Sequence, residues 1–234
     1  MRVGVIVTAA GSGARLGAAV PKALVTVGER TLLEHAVARA LSVADELVVT
    51  APESHLEHVR TLVNPLVEQS EQRDVETILS VVRGGASRQD SVNAGLAALG
   101  DVDLVLVHDA ARAFAPMALF RDAVAALESG HGAVIPALPV VDTIKRADAE
   151  LRVTGTVDRS ELWAVQTPQG FRRELLERAH TEGAGTGATD DAALVEALGE
   201  PVQLIPGHED AFKVTTPRDF ALAESLMAKG HFDE

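Results

Sequence analysis

Short apolar runs alternate along most of the chain with segments whose apolar positions recur every three to four residues. Residues 3–7 predict a buried parallel strand. Residues 31–42 carry Leu33, Val37, Ala40 and Leu41 at helical spacing, with Thr31 and Glu34 placed as a capping box. A second strand is expected at 46–50 and a helix at 52–62. Residues 64–80 show little pattern, with a strand expected around 79–82. Gly84 and Gly85 interrupt the chain before a helix over 87–99 capped by Ser87 and Asp90. Residues 103–107 (DLVLV) are the most strand-like run and end at His108, Asp109 and Ala110. A helix at 116–127 and a strand at 133–136 follow.

The pattern changes at residues 140–159, which read as two strand-like arms around a polar turn near Asp148. Each arm is too polar to form a core of its own. Such a ribbon needs a partner, so an arm packing on a second subunit is expected, with a surface hairpin as the alternative. Residues 164–171 return to the sheet, where Pro168 argues against a central strand position. Helices over 172–180 and 190–198 flank a glycine-rich loop, 183–189, expected to end in a helix cap. A short strand follows at 202–205. Thr216 as cap and Pro217 at the first helical position open a last helix running to about Lys229. This order implies one α/β domain with a mostly parallel sheet covered on both faces and a ribbon excursion.

The first candidate for chemistry is VIVTAAGSGARLGAAVPK, residues 5–22: an apolar run, small residues with Gly11, Gly13 and Gly17, then Arg15 and Lys22. Backbone N–H groups bare of large side chains approach an anion closely, and two cations neutralise what those donors do not reach. The spacing fits neither common phosphate loop. A dinucleotide fingerprint needs glycine where Leu16 stands, and an ATP-type loop needs Ser or Thr after lysine where Ala23 stands. A plain strand-to-helix turn remains the alternative.

Composition narrows the partners. Of 234 residues, 47% are apolar and 3% aromatic, so the core rests on Val, Leu, Ile and Ala. A net charge of −13 argues against a nucleic-acid polymer or an anionic membrane surface as the main partner and makes any phosphate site a local feature. With no cysteine, disulfides, thiolate metal sites and a cysteine nucleophile are excluded. The chain shows no leader pattern and no apolar run of membrane-spanning length, so a cytoplasmic protein is expected. The eight histidines lack paired ligand spacing.

Five patches are expected to meet at the carboxyl edge of the sheet: the opening loop, residues 84–91, residues 108–112, the ribbon and residues 211–215. They bring Arg15, Lys22, Asp109, Arg112 and Lys213. A carboxylate among cations suits Mg²⁺ shared between protein acids and substrate phosphates. The residues alone leave open a strand-end turn for Asp109, an ion pair for Arg112 and a solvated charge for Lys213. His108 is expected to be a hydrogen-bonded structural residue.

The strings TAAGSGARLG with the following PKAL, then RQDSV, VHDAAR, DTIK, TVDR, QTPQGF, TDD and FKVT stand in an order that resembles the 2-C-methyl-D-erythritol 4-phosphate cytidylyltransferases, over nearly the whole chain. The resemblance implies a Rossmann-like nucleotidyltransferase fold, a single domain over 1–234 and a β-arm at about 139–162. It implies transfer of CMP from CTP to the sugar phosphate, assisted by Mg²⁺. It makes Arg15, Lys22 and Lys213 catalytic, and Ala9, Ala10, Gly11, Gly13, Gly85 and Ser91 the CTP-binding set. Asp109 becomes the metal ligand, and Asp109, Arg112, Thr143 and Arg159 the acceptor-binding residues. Thr143 and Arg159 would serve the neighbouring subunit's site in a homodimer. Ala86 stands where the family often has an acid, and Ala113 where proline is usual. A cytidylyltransferase for another polyol phosphate, such as ribitol 5-phosphate, and a non-catalytic nucleotide-binding protein are the rival readings.

Overall fold

The computed structural model describes residues 1–11, 20–69, 77–185 and 187–231. The chain opens with β1 (Val3–Thr8), a small hairpin of β2 (Thr26–Val27) and β3 (Arg30–Thr31), then α1 (Leu32–Ala40), β4 (Glu46–Ala51) and α2 (Leu56–Glu68). Next come β5 (Ile78–Arg83), α3 (Arg88–Ala98), β6 (Leu104–Asp109), α4 (Met117–Glu128) and β7 (Ala133–Pro139). β8 (Lys145–Ala147), β9 (Val153–Thr156), β10 (Trp163–Val165) and β11 (Gln169–Arg172) follow. The chain then forms α5 (Arg173–Glu182), α6 (Asp191–Ala197), β12 (Gln203–Pro206) and α7 (Pro217–Met227).

Alternation along the strands explains the layers. Val3, Val5 and Val7 of β1, with Leu104 and Leu106 of β6, enter one core together with Leu33 and Val37 of α1, Val59 and Val63 of α2, and Phe120 of α4. Ile6, Val105 and Val107 point the other way, into a core shared with Val92 and Leu96 of α3, Leu176 of α5 and Leu194 of α6. Each fully buried side chain of this size stabilises the fold by about 1.5–3 kcal/mol. A third cluster, around Val27, Leu32, Phe114, Val214 and Ala223, seats α7.

β1 lies between β4 and β6, and β5 lies outside β4, all parallel. The chain moves outward from β1 to β5 and then crosses back to place β6 on β1's other side. That reversal leaves a crevice outside the carboxyl ends of β1 and β6. Beyond β6, β11 pairs antiparallel with both β6 and β7. Ala137 pairs with Val165 on one side and Pro206 on the other. β10 and β11 therefore share one edge of β7 as a single interrupted strand, and β12 takes the opposite edge.

This corrects the expectation for Pro168. The strand that follows it is central, and Pro168 sits in the break between β10 and β11, where Gln166 N has already donated to Pro136 O at 2.8 Å and no ladder bond is asked of the proline. α2 likewise runs beyond the expected end at residue 62 and contains Pro65. The cap of α6 is Asp190, whose side chain accepts from Ala193 N, rather than the last loop residue. The capping boxes at Thr31 with Glu34 and Ser87 with Asp90 form as expected, and Pro217 opens α7 behind a third box, Thr216 with Asp219.

The ribbon is present as a separate two-stranded sheet. Lys145 pairs with Thr156 and Arg146 with Gly155, and every residue of β8 is exposed. Asp148 Oδ1 accepts from the Glu150 and Arg152 amides and closes the turn. Val141, Leu151 and Val153 project from the ribbon as exposed apolar side chains, and Trp163 is half exposed at its base.

Candidate active site

A cleft of about 400 Å³ opens at the carboxyl ends of β1, β5 and β6. β1 delivers Thr8, Ala9, Ala10 and Gly11. The turn after β5 and the start of α3 deliver Gly85, Ala86, Ser87, Arg88 and Ser91. Asp109 to Ala111 come from the end of β6, Lys22 from the 3-10 turn Lys22–Leu24, and Lys213 from the segment before α7. Four of the five patches expected at this edge therefore meet there. Among the described residues nothing lies near the position of a β-carbon on Gly11, whereas a β-carbon on Gly84 would lie 2.5 Å from that of Ala10. Glycine at 84 lets the wall carrying Ser91 close against β1. Ser91 Oγ accepts from Gly85 N at 3.1 Å and donates to Ser87 O at 2.9 Å, fixing the turn.

Asp109 is the centre of the charge arrangement. Its Oδ1 accepts from Arg88 Nε at 3.1 Å and from Thr8 Oγ1 at 3.2 Å, and its Oδ2 accepts from Lys213 Nζ at 2.6 Å. Burial alone would raise its pKa; Arg88 and Lys213 outweigh that and hold the carboxyl well below the usual carboxylate range. Its backbone N donates to Thr167 Oγ1 at 3.1 Å, and the same hydroxyl lies 3.0 Å from His108 Nδ1. His108 is fully buried, and desolvation drives its pKa down to about 4. It is a neutral, hydrogen-bonded residue, in keeping with the structural role expected of it.

Arg112 does not line the cleft. Its Nη1 donates to Ala211 O at 2.6 Å and its Nη2 to Val165 O at 2.9 Å, tying the segment before Lys213 to β10. Thr143 and Arg159 lie on the ribbon, exposed and outside the cleft. The Arg159 guanidinium donates to Val141 O and braces the ribbon's base. Arg15 and Gly13 fall outside the described residues. Ala86 lines the cleft without a charge, and Ala113 is buried in the third core cluster.

Three further residues of this network, Arg88, Thr8 and Asp191, carry no local signal of their role. Arg88 was visible inside RQDSV, but its partners lie 21 and 103 residues away, and no local spacing announces such contacts. Among the described residues no group of three or more His, Asp or Glu side chains converges on a common point. A metal here would take one protein carboxylate and draw its other ligands from substrate and water.

The chain matches the sequence model of the IspD family, 2-C-methyl-D-erythritol 4-phosphate cytidylyltransferase, over residues 3–229. It is 51% identical over 227 residues to the 2-C-methyl-D-erythritol 4-phosphate cytidylyltransferase of Rhodococcus jostii, covering 96% of this chain and 95% of that one. It is 50% identical over 231 residues to the bifunctional enzyme IspD/IspF of Clavibacter michiganensis, covering 97% of this chain but only 55% of that longer protein. The crystal structure of the Thermus thermophilus 2-C-methyl-D-erythritol 4-phosphate cytidylyltransferase superposes with a TM-score of 0.75 at 38% identity, covering 97% of this chain and all of that one. The crevice built by β1, β5 and β6 is thus carried on a matching backbone and on matching sequence over nearly its whole length, and the chain belongs to the 2-C-methyl-D-erythritol 4-phosphate cytidylyltransferase family.

Proposed function

We infer that the chain transfers the cytidylyl group of CTP to the phosphate of 2-C-methyl-D-erythritol 4-phosphate and releases pyrophosphate, a step of isoprenoid precursor synthesis. The observation that carries this reading is Asp109, an ionised carboxylate between two cations in the cleft that also holds Lys22. The cytosine rests against Ala9, Ala10, Gly85 and Ser91, and the triphosphate lies along Gly11 and Gly13 towards Lys22 and Arg15. An oxygen of the acceptor phosphate forms a bond to the α-phosphorus. The bond from that phosphorus to the oxygen bridging to the β-phosphorus breaks, and pyrophosphate leaves with the electron pair. The attacking oxygen is already ionised, so no strong base is needed, which agrees with the buried neutral state of His108. Lys22, Arg15 and Lys213 lower the barrier by neutralising the charge that builds around phosphorus.

Mg²⁺ fits the donor set: one ionised carboxylate, with phosphate oxygens and water for the remaining positions, is a combination this small hard cation accepts. Asp109 would hold it, and it would neutralise charge on the transferring phosphoryl group.

The ribbon is read as the arm of a homodimer within a single-domain cytoplasmic chain. Its exposed Val141, Leu151 and Val153 supply the apolar contact surface, and Thr143 and Arg159, with Arg112, complete the acceptor side. The test is to incubate the protein with Mg²⁺, CTP and 2-C-methyl-D-erythritol 4-phosphate or ribitol 5-phosphate, and to measure pyrophosphate. Release with the first acceptor alone is expected. Release only with the second would reassign the acceptor, and none with either would favour a nucleotide-binding protein.

A further inference from the structure

The TDD string at residues 189–191 has no part in the reaction described so far, yet its last member is among the most buried charged residues in the protein. The Asp191 side chain is 1% exposed, at the first position of α6. Both of its oxygens are engaged: Oδ2 accepts from Arg88 Nη1 at 2.7 Å, and Oδ1 from His180 Nε2 at 2.9 Å. Gln169 Oε1 accepts from the Asp191 and Ala192 amides at 3.2 Å each, which pins this end of α6 to β11. The Arg88 guanidinium then spans two acids, taking Asp191 through Nη1 and Asp109 Oδ1 through Nε.

We propose that Asp191 is a positioning residue for cytidylyl transfer: through Arg88 it sets the orientation of Asp109, so that Oδ1 is held by the guanidinium and Oδ2 is left to Lys213. The inference rests on the functional reading above and deepens it. Burying a carboxylate and a guanidinium in place of apolar side chains rarely adds stability, so the pair is better explained by the geometry it imposes. A rigid fork of N–H donors bridges two carboxylates in fixed directions, which the single ammonium of lysine does not do. Charge balance favours the same arrangement. Asp109 and Asp191 face Arg88 and Lys213, so when Lys213 turns from Asp109 to a phosphate, Arg88 still neutralises the acid and keeps it in place.

The test compares Asp191→Asn, Arg88→Lys and the double variant with the unchanged protein in the pyrophosphate assay, well below each melting temperature. By analogy with supports one residue removed from an active centre, Asp191→Asn should lower kcat about 10-fold and Arg88→Lys by up to about 100-fold, with the KM for CTP moved less than about 3-fold. The double variant should be no slower than Arg88→Lys alone, because both changes cut one chain of contacts. Guanidinium ion added to Arg88→Ala should restore part of kcat, a response that a loss of general stability does not give. Normal kcat in folded Asp191→Asn, or losses that multiply in the double variant, would overturn the proposal. If Asp191→Asn does not fold, Asp191→Glu takes its place: it keeps the charge but moves the carboxylate that orients Arg88, so a lowered kcat supports the proposal and a normal kcat overturns it. Activity of the unchanged protein separates the two readings: if it releases pyrophosphate while the variants are unimpaired, only the positioning role fails. If it releases none, both readings fall.

Discussion

Lys213 Nζ lies 2.6 Å from Asp109 Oδ2, so a cation at the mouth of the cleft is held by the acid beside which the substrates are to react. The lysine side chain keeps 40% of its exposure, whereas the aspartate keeps 11%. The less buried partner of the pair is the lysine, whose charge is within reach of an arriving phosphate while Asp109 stays bonded to Arg88 and Thr8. Lys213→Ala should lower kcat by roughly 100-fold, as should Lys22→Ala, by analogy with the loss of one preorganised donor. Steady-state kinetics on the purified variants check this, and near-normal turnover in both would remove the roles assigned to them.

Gly84→Ala should act on nucleotide binding. The added carbon would lie 2.5 Å from the Ala10 β-carbon and 3.0 Å from Ser91 Oγ, pushing the two walls of the base pocket apart. A rise in the KM for CTP of about 10-fold or more is expected, with a smaller effect on the KM for the acceptor, since one misplaced wall disturbs only the contacts it makes. Equal effects on both substrates would place the base elsewhere.

The strands that build this pocket were legible because β1, β4 and β6 are apolar on both faces, and the helices because their caps are written locally: Thr31 with Glu34, Ser87 with Asp90, Thr216 before Pro217. What escaped depends on distant chain. Pro168 marks the break in a central strand rather than a sheet edge, and only the pairing of β7 on both sides reveals this. α2 continues through Pro65 because Val59 and Val63 pack on the core. The cleft residues at the ends of β1 and β6 followed from strand order, but the links from Asp109 to Arg88 and on to Asp191 join three separate segments. Arg112 shows the same limit: its position at a strand end was readable, its two carbonyl partners were not.

If the ribbon serves a neighbouring subunit, inactive chains should complement one another. A Lys22→Ala chain has an intact ribbon, and an Arg159→Ala chain an intact cleft. Mixed by co-refolding or subunit exchange, they should recover about one quarter of the normal activity, because half of the dimers are mixed and each has one complete site. No recovery from a mixture that sedimentation shows to contain dimers would mean that Arg159 acts within its own subunit.

Stability should fall on mild acidification. Burial lowers the pKa of His35 and carries that of His108 down to about 4. Unfolded, both titrate near pH 6.5, so below that value the unfolded chain binds protons that the folded one does not, and the free energy of unfolding drops as pH falls. The loss begins near pH 6.5; the His108 share, about 3 kcal/mol in full, is complete near pH 4. Urea midpoints taken between about pH 7.5 and about pH 5 should decline, and His35→Gln should flatten part of the slope. Midpoints that rise towards pH 5 would contradict the buried neutral state of these imidazoles.

Pyrophosphate release measures directly what the cleft does with two phosphate-bearing substrates. With Mg²⁺, CTP and 2-C-methyl-D-erythritol 4-phosphate together, the protein should release one pyrophosphate for each cytidylyl group transferred, and omission of the acceptor should stop it. Pyrophosphate release that is unchanged when the acceptor is left out, or absent when all components are present, would contradict cytidylyl transfer by this cleft.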